Sequence, residues 1–243
     1  MTVTASPSLR VPHRFRGPTS WANGGYLCGL IARFAARPVT VRLLKPAPLD
    51  TDLRVVDRGD VLELLHGDEP IAQARPADVP LPVPPAPPTF EQATAASRRY
   101  AGFARHPAPE CFVCGPQRAE GDALRIFAGP LEAQPEAARH VVAAPWVPDP
   151  SLDAGDGAVG PEHVWAALDC PGFASAAPDM RPALLGEMTA DVDRRPRIGE
   201  RCVVVGWTLG SSGRKHDTGT ALFGERGERL GRARAVWIEP RSG

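Results

Sequence analysis

The sequence contains an internal repeat, and this repeat limits the possible fold more than any other feature. A helical pattern of apolar residues at 23–35 is followed by four strand-like runs: VTVRLLK, TDLRVV, DVLELLHG and PIAQAR. A second helical pattern at 160–176 is followed by four more: LLGEMTADV, RCVVVGW, GTALFGE and RLGRARAVWI. Two of the intervening turns also match in spacing between the copies. The pattern predicts a duplicated β-α-β-β-β-β unit.

A proline-rich segment separates the two copies. Residues 76–88 read PADVPLPVPPAPP, which is typical of an extended, polyproline-like linker. Residues 90–104 then have the pattern of a short helix. These features divide the chain into an N-terminal unit at 10–79, a linker with its helix at 80–104, and a C-terminal unit at 105–240.

The charge balance and the cysteines exclude several classes of protein. The 243 residues include 28 lysines and arginines against 28 acidic residues, so the composition gives no indication of nucleic-acid binding. No run of about 18 apolar residues that could cross a membrane occurs, and the N-terminus lacks the apolar core of a signal peptide. The five cysteines are scattered, which is typical of free thiols. A cytoplasmic protein with a small-molecule partner is expected.

The start of the first helical pattern is unusual because two glycines precede an apolar run. The stretch ANGGYLCGLIA places Asn23 before Gly24 and Gly25. Glycine is unfavourable inside a helix but allows a ligand or a second backbone to come close. The pair therefore marks either a tight turn or a binding site at a helix N-terminus, where backbone N–H groups lack partners.

Several of these segments resemble the hotdog-fold thioesterases of the phenylacetyl-CoA thioesterase type. The first segment is CFVCGPQRAEGDALRIF at 111–127, in which the family's first strand is expected. The second is the tail at 213–238, which resembles the family's last hairpin. The third is NGGYLCGLIARF, which stands where the family has a His-Gly-Gly helix start. The resemblance implies an α+β double hotdog, with two antiparallel sheets each wrapped around a central helix. The two sheets are expected to be joined edge to edge or packed as a pseudo-dimer. It also implies hydrolysis of an acyl-CoA-like thioester without a cofactor, and a possible homodimer.

The resemblance also implies a composite active site. In the family, glycine amides at one helix start hold the thioester oxygen, and a carboxylate about two turns along the partner helix is the nucleophile or general base. Asp169 holds the acid position of the second copy, opposite the Gly24 and Gly25 amides, and Asn23 would orient the turn. The other pairing, Pro161 with Ala32, has neither the N–H group nor the carboxylate. One site per chain is therefore predicted.

Four further residues are candidates for substrate contacts. Tyr26 and Trp165 lie near the proposed site in the sequence and could line a pocket, although aromatic residues on helices usually pack in a core. Arg214 and Lys215 fall between two predicted strands, where they could hold the phosphates of coenzyme A or form a solvated hairpin tip.

Two alternatives to a thioesterase remain open at this point. Asn23 in place of histidine is compatible with an acyl-CoA binding protein that has lost turnover. A hotdog hydratase or dehydratase is disfavoured, because no Asp with a His about five residues later stands at a helix start.

The motif Cys111-x-x-Cys114 is interpreted as a turn carrying two thiols. It has no second C-x-x-C or H-x3-H partner, and His106 and Cys170 could complete a ligand set only through an accident of the fold. No metal is expected from the sequence.

Overall fold

The strands form one continuous antiparallel sheet of eleven strands in the computed structural model, which describes residues 7–18, 20–132 and 139–241. The first five strands are β1 (Ser8–Leu9), β2 (Val39–Leu43), β3 (Leu53–Asp57), β4 (Leu62–His66) and β5 (Glu69–Pro76). The other six are β6 (Gly129–Pro130), β7 (Arg139–Trp146), β8 (Leu184–Val192), β9 (Cys202–Ser212), β10 (Lys215–Phe223) and β11 (Arg229–Ile238).

The order of the strands repeats in the two halves of the sheet. The whole order is β1-β3-β4-β5-β2-β8-β11-β10-β9-β7-β6. Read outward from the centre, β2-β5-β4-β3-β1 therefore corresponds to β8-β11-β10-β9-β7. The predicted repeat of a helix and four strands is confirmed, with matching topology in each copy.

The two halves join through the first strand of each repeat. Strand β2 pairs with β8, with Thr40 opposite Thr189 and Arg42 opposite Glu187. The two threonine hydroxyls lie 2.8 Å apart. Of the two arrangements expected for the sheets of the repeats, the structure therefore has the one joined edge to edge, because β2 and β8 would each otherwise be an edge whose backbone N–H and C=O groups lack partners.

Four α-helices accompany the sheet: α1 (Gly24–Ala32), α2 (Phe90–Ser97), α3 (Pro161–Ala167) and α4 (Cys170–Ala176). Helix α1 packs against α3, β2 and β8, whereas α4 packs against β7, β9 and β10. The single helix predicted at 160–176 is divided at Leu168 and Asp169. Pro171 explains the division, because it has no N–H group and its ring clashes with the preceding turn of a continuous helix.

The segment between the repeats differs in part from expectation. Residues 77–88 contain no helix or strand, as predicted for the linker. Helix α2 follows with a capping box between Thr89 and Gln92, and its alanines pack with residues of β7, β9 and β10 in a second apolar cluster. Residues 111–127 form turns instead of the predicted strand, and strand β7 was not predicted.

The main apolar core is shared by both halves. It includes Leu27 and Ile31 of α1, Leu53 of β3 and Leu222 of β10. Among the described residues, no helix has the length and apolar character needed to cross a bilayer. The shared core holds α1 of the first repeat directly against α3 of the second.

Candidate active site

The carboxylate of Asp169 lies at the N-terminus of α1, between the two repeats. Asp169 is 1% exposed. Its Oδ2 accepts hydrogen bonds from the Gly25 backbone N at 3.1 Å and from Asn23 Nδ2 at 3.0 Å. Its Oδ1 has no hydrogen-bond partner among the described residues. The helix start of one copy and the acid of the other are therefore in direct contact.

Asn23 has two roles that use the two ends of its side-chain amide. Its Oδ1 accepts from the Tyr26 backbone N at 2.9 Å and so caps helix α1, as the sequence indicates. Its Nδ2 donates to Asp169, and Cys111 Sγ lies 3.8 Å from the same nitrogen. The contact with Asp169 was not predicted, but Asn is the one common capping residue whose side chain also carries N–H donors.

The two glycines have different surroundings. A Cβ on Gly25 would overlap the Asp169 side chain and lie 2.9 Å from the Trp165 carbonyl oxygen, so this position requires glycine. The Gly25 amide is already bonded to Asp169. The Gly24 amide has no hydrogen-bond partner among the described residues, and Gly24 lines the adjacent cavity. Of the two amides predicted to hold a substrate oxygen, Gly24 has the free N–H group.

Burial shifts the acidity of the site. The pKa of Asp169 is raised to about 7, first because the carboxyl group is removed from water and second because Cys111 is close. The hydrogen bonds from Gly25 and Asn23 act in the opposite direction, because they stabilise the ionised form. A carboxylate with a raised pKa is a stronger base than an exposed one when it is ionised.

A cavity of about 580 Å³ adjoins this carboxylate, and Asp169, Asn23 and Gly24 all contribute to its wall. Much of the rest of the lining is apolar, including Leu27, Leu43, Phe173, Leu185 and Trp237. The exposed lining residues Trp21, Leu44 and Leu184 place the mouth at the protein surface. Such a volume is typical of a site for a small molecule.

Two cationic side chains lie at the mouth of the cavity. Arg214, a predicted substrate contact, is exposed and lines the cavity, and its guanidinium donates to the Glu239 carbonyl oxygen. Lys45, which sequence reasoning did not select, is also exposed there and pairs with Glu69. Lys45 lies just after β2. It is close to the loop that contains Arg214 only because the two halves of the sheet are paired.

The other three predicted substrate contacts lie outside the cavity lining. The Tyr26 ring is buried and stacks on Phe15 with centroids 4.1 Å apart. Trp165 is buried, and its side chain packs against Gly29 on helix α1. Lys215 is exposed at the start of β10, one residue beyond Arg214. The two aromatic residues support the helix pair instead of the cavity.

The opposite end of the α1–α3 pair is closed. Arg33 Nη1 lies 3.7 Å from Glu162 Oε2, and a Cβ on Gly29 would meet Glu162 Cα at 2.6 Å. Beside them, His163 packs among aromatic rings that include Tyr26, and burial lowers its pKa to about 4. Pro161 provides no N–H group at this helix start. One competent site per chain stays a prediction.

Three cysteine thiols meet on the wall of the cavity. Cys111, Cys114 and Cys170 are buried, and their sulfur atoms lie within 4.8 Å of one another. Hydrogen bonds from the Cys114 and Cys170 thiols hold the pKa of Cys111 well below its usual range. The sequence indicated a turn with two thiols. It could not show that the fold places Cys170, at the start of α4 and 59 residues from Cys111, beside the other two thiols.

Comparison with known proteins gives structural neighbours but no sequence family. No family model and no curated protein matches the chain. The tesB protein of Mycobacterium avium subspecies paratuberculosis superposes with a TM-score of 0.60 at 16% identity, over 96% of this chain and 91% of that one. The acyl-CoA thioesterase II TesB2 of Mycobacterium marinum gives 0.59 at 13% identity, over 97% and 93%.

A third neighbour names the fold. A hot dog fold protein from Alicyclobacillus acidocaldarius superposes with a TM-score of 0.54 at 13% identity, over 100% of this chain and 96% of that one. All three comparisons span nearly the whole length of both chains, and the strand order repeats within this chain. The protein therefore has a double hotdog fold, the architecture it shares with the TesB thioesterases.

Proposed function

We propose that the protein hydrolyses an acyl-CoA-like thioester at one composite site between its two repeats. The observation that carries the proposal is the Asp169 carboxylate, held at the start of α1 by Asn23 and Gly25 beside a largely apolar cavity. The names of two structural neighbours contain TesB, and one of the two is named an acyl-CoA thioesterase. Their full-length similarity supports the same class of reaction here.

The geometry suggests how the proposed reaction would proceed. Because Asn23 and Gly25 fix Oδ2, Oδ1 is the carboxylate oxygen without a partner in the described part of the chain, and it would take a proton from a water molecule that enters from the cavity. The resulting hydroxide would add to the thioester carbonyl, and the oxygen that becomes negative would face the Gly24 amide at the positive end of α1. Collapse of this intermediate breaks the C–S bond, and the leaving thiolate takes the proton from Asp169.

The cavity has two parts that match the two parts of such a substrate. Phe173 and Trp237, whose rings lie 5.4 Å apart, form an apolar wall for an acyl group. Lys45 and Arg214 at the mouth would attract the phosphates of coenzyme A. Lys215, beside Arg214, stays a predicted phosphate contact, whereas Tyr26 and Trp165 would act through the packing of helices α1 and α3.

The test is release of free thiol from a panel of acyl-CoA esters that differ in chain length and aromatic character. We expect turnover by the wild-type protein and a loss of about a hundredfold or more in Asp169→Asn, because the amide cannot accept the proton. Asp156→Asn is the matched control, since Asp156 is an exposed residue paired with Arg195. Urea unfolding would show whether the variants remain folded.

The alternatives have different outcomes in the same assay. An acyl-CoA binding protein would bind the esters, as measured by calorimetry, without releasing thiol from any of them. A hydratase would add water to an enoyl ester and leave the C–S bond intact. Equal turnover by the wild-type protein and Asp169→Asn would remove this carboxylate from the mechanism.

A further inference from the structure

The three clustered thiols come from two separate parts of the chain. Cys111 and Cys114 lie in one tight turn, in which the Gly115 amide donates to the Cys111 carbonyl at 2.9 Å. A Cβ at Gly115 would overlap this turn, so glycine is required there. Cys170 is the first residue of helix α4. The fold therefore closes a C-x-x-C turn onto a third cysteine.

The separation of the sulfur atoms is suited to a shared metal ion. Zn–S bonds of about 2.3 Å at tetrahedral angles place two sulfur atoms about 3.8 Å apart. Cys111 Sγ and Cys170 Sγ are 3.8 Å apart, and all three sulfur atoms lie within 4.8 Å of one another. A disulfide would join two of the thiols and leave the third without an equivalent bond, whereas a metal ion uses all three.

Hydrogen-bond donors surround the sulfur atoms, as they do around thiolate ligands of metals. The backbone amides of Val113 and Cys114 face Cys111 Sγ. Asn23 Nδ2 lies 3.8 Å from the same sulfur. Three thiolates and one divalent ion have a net charge of minus one, which these donors would stabilise.

His106 lies beside the cluster, with Nε2 3.4 Å from Cys114 Sγ, but is not a fourth ligand. Its Nδ1 accepts a hydrogen bond from the Ala108 amide at 2.9 Å, so the proton of the neutral ring is on Nε2. The Tyr100 hydroxyl donates to the Cys114 carbonyl oxygen, so Tyr100 Oη accepts this proton from Nε2 at 2.8 Å. A fourth coordination position would therefore be filled from the cavity, which all three cysteines line.

We propose that Cys111, Cys114 and Cys170 bind one zinc ion, with a water molecule or a cavity ligand in the fourth position. Thiolates favour zinc among the common divalent cations, and three protein ligands with one exchangeable position is an established zinc geometry. The ion would hold the C-x-x-C turn against α4, directly beside Asp169. The proposal is independent of thioester hydrolysis, because metal binding is measured without substrate.

The decisive experiment is the zinc content of protein purified under reducing conditions from zinc-supplemented cells. We expect about one zinc per chain in the wild-type protein and less than about a tenth of that in Cys114→Ser, because two thiolates bind zinc far more weakly than three. Cys114 is chosen because Cys111 contacts Asn23 and Cys170 adjoins Asp169. Cys28→Ser and Cys202→Ser are the controls, since both cysteines are buried outside the cluster.

Two further measurements keep the proposal falsifiable if Cys114→Ser folds poorly. Cobalt added to the metal-free wild-type protein should give thiolate-to-metal absorption in the near ultraviolet. Removal of zinc by a chelator should lower the Tm of the wild-type protein, because an ion that binds only the folded state stabilises it. A wild-type protein that takes up neither zinc nor cobalt, or zinc retained in full by a folded Cys114→Ser, would overturn the proposal.

Discussion

The two ends of the α1–α3 pair are related by the internal duplication but have opposite chemistry. At one end, Asn23 and Gly25 donate to the buried carboxylate of Asp169. At the other end, Arg33 pairs with Glu162 in a contact whose arginine is largely exposed. The first end adjoins a cavity, and the second is closed by close packing against Gly29.

The comparison shows how few residues separate the proposed site from the closed end. Ala32 stands where the acid would be in the first copy, and Pro161 stands where an amide donor would be in the second. Each copy therefore lacks one of the two requirements and meets the other. Fusion of the copies into one chain allows them to diverge in this way, because the remaining site needs only one helix start and one acid.

The largest expected effect comes from adding one carbon atom to Gly25. In Gly25→Ala the Cβ would overlap Asp169, so the carboxylate must move from its position at the helix start. A displacement of about 1 Å at a reacting group can lower the rate by about a hundredfold. We expect a loss of that size in kcat/KM, measured by thiol release.

Gly29→Ala is the matched change at the closed end. Its Cβ would meet Glu162 Cα at 2.6 Å, so this variant is also overpacked. Both substitutions should lower the free energy of unfolding by about 1 to 3 kcal/mol, but Gly29→Ala should leave kcat/KM nearly unchanged. Equal losses of activity in the two variants would show that the helix pair responds as a whole and would remove the distinction between its ends.

The pH dependence of stability reports on His163 at the closed end. Its folded-state pKa is about 4, because burial disfavours the charged ring, with Glu162 raising it and Arg14 lowering it by smaller amounts. The unfolded chain therefore binds more protons between about pH 4 and 6.5, so stability is present above this range and decreases as the pH falls through it. From pH 7.5 to 5 the contribution of His163 to the free energy of unfolding should fall by about 2 kcal/mol, whereas the raised pKa of Asp169 acts in the opposite direction over the same range.

Urea unfolding of the wild-type protein and of His163 variants at the two pH values isolates this contribution, because Asp169 is present in all of them. In His163→Phe and His163→Leu, stability at pH 5 relative to pH 7.5 should be about 2 kcal/mol higher than in the wild-type protein, because neither side chain titrates. His66→Gln, which changes an exposed histidine on β4, is the control and should retain the wild-type difference. Retention of the full difference in both His163 variants would exclude this histidine as its source.

The sequence predicts the elements whose patterns are local. The two helix starts and the eight strands of the repeats follow from apolar periodicity and turn residues. Strand β7 was missed because Pro145 interrupts its pattern. The sequence could not choose between edge-to-edge joining and a packed pseudo-dimer, because pairing of β2 with β8 is a contact between distant segments. Pro171 was the signal for the division between α3 and α4.

In the candidate site, too, local features could be predicted from the sequence and contacts between distant segments could not. Asn23, Gly24 and Gly25 could be selected because a helix start is a local pattern, and Asp169 because the family resemblance places an acid at that spacing along the second helix. The side-chain details could not, because the contact of Asn23 Nδ2 with Asp169 and the meeting of Cys170 with Cys111 depend on how the two halves pack. Lys45 was missed for the same reason.

The smallest of these predicted effects concerns the caps at the two helix starts. Asn23 caps α1 through its side chain, whereas Gly160 at the start of α3 has no side-chain cap. In Asn23→Ser the hydroxyl can still accept from the Tyr26 amide, so the cap itself is kept to within about 0.5 kcal/mol of the free energy of unfolding, and any larger loss of stability reports the lost contact with Asp169. The donor to Asp169 Oδ2 is lost, and kcat should fall by about tenfold, since a hydrogen bond to a charged group contributes about 1.5 to 3 kcal/mol.

Asn23→Gly makes the first helix start resemble the second and completes the comparison. It removes the donor as well as the capping oxygen, so its kcat should equal that of Asn23→Ser, whereas its stability should be a few tenths of a kcal/mol lower. Thiol release and urea unfolding of the two variants separate the two roles of the side chain. If Asn23→Ser keeps the wild-type kcat, Asn23 is only a helix cap, and the Gly25 amide alone positions the acid.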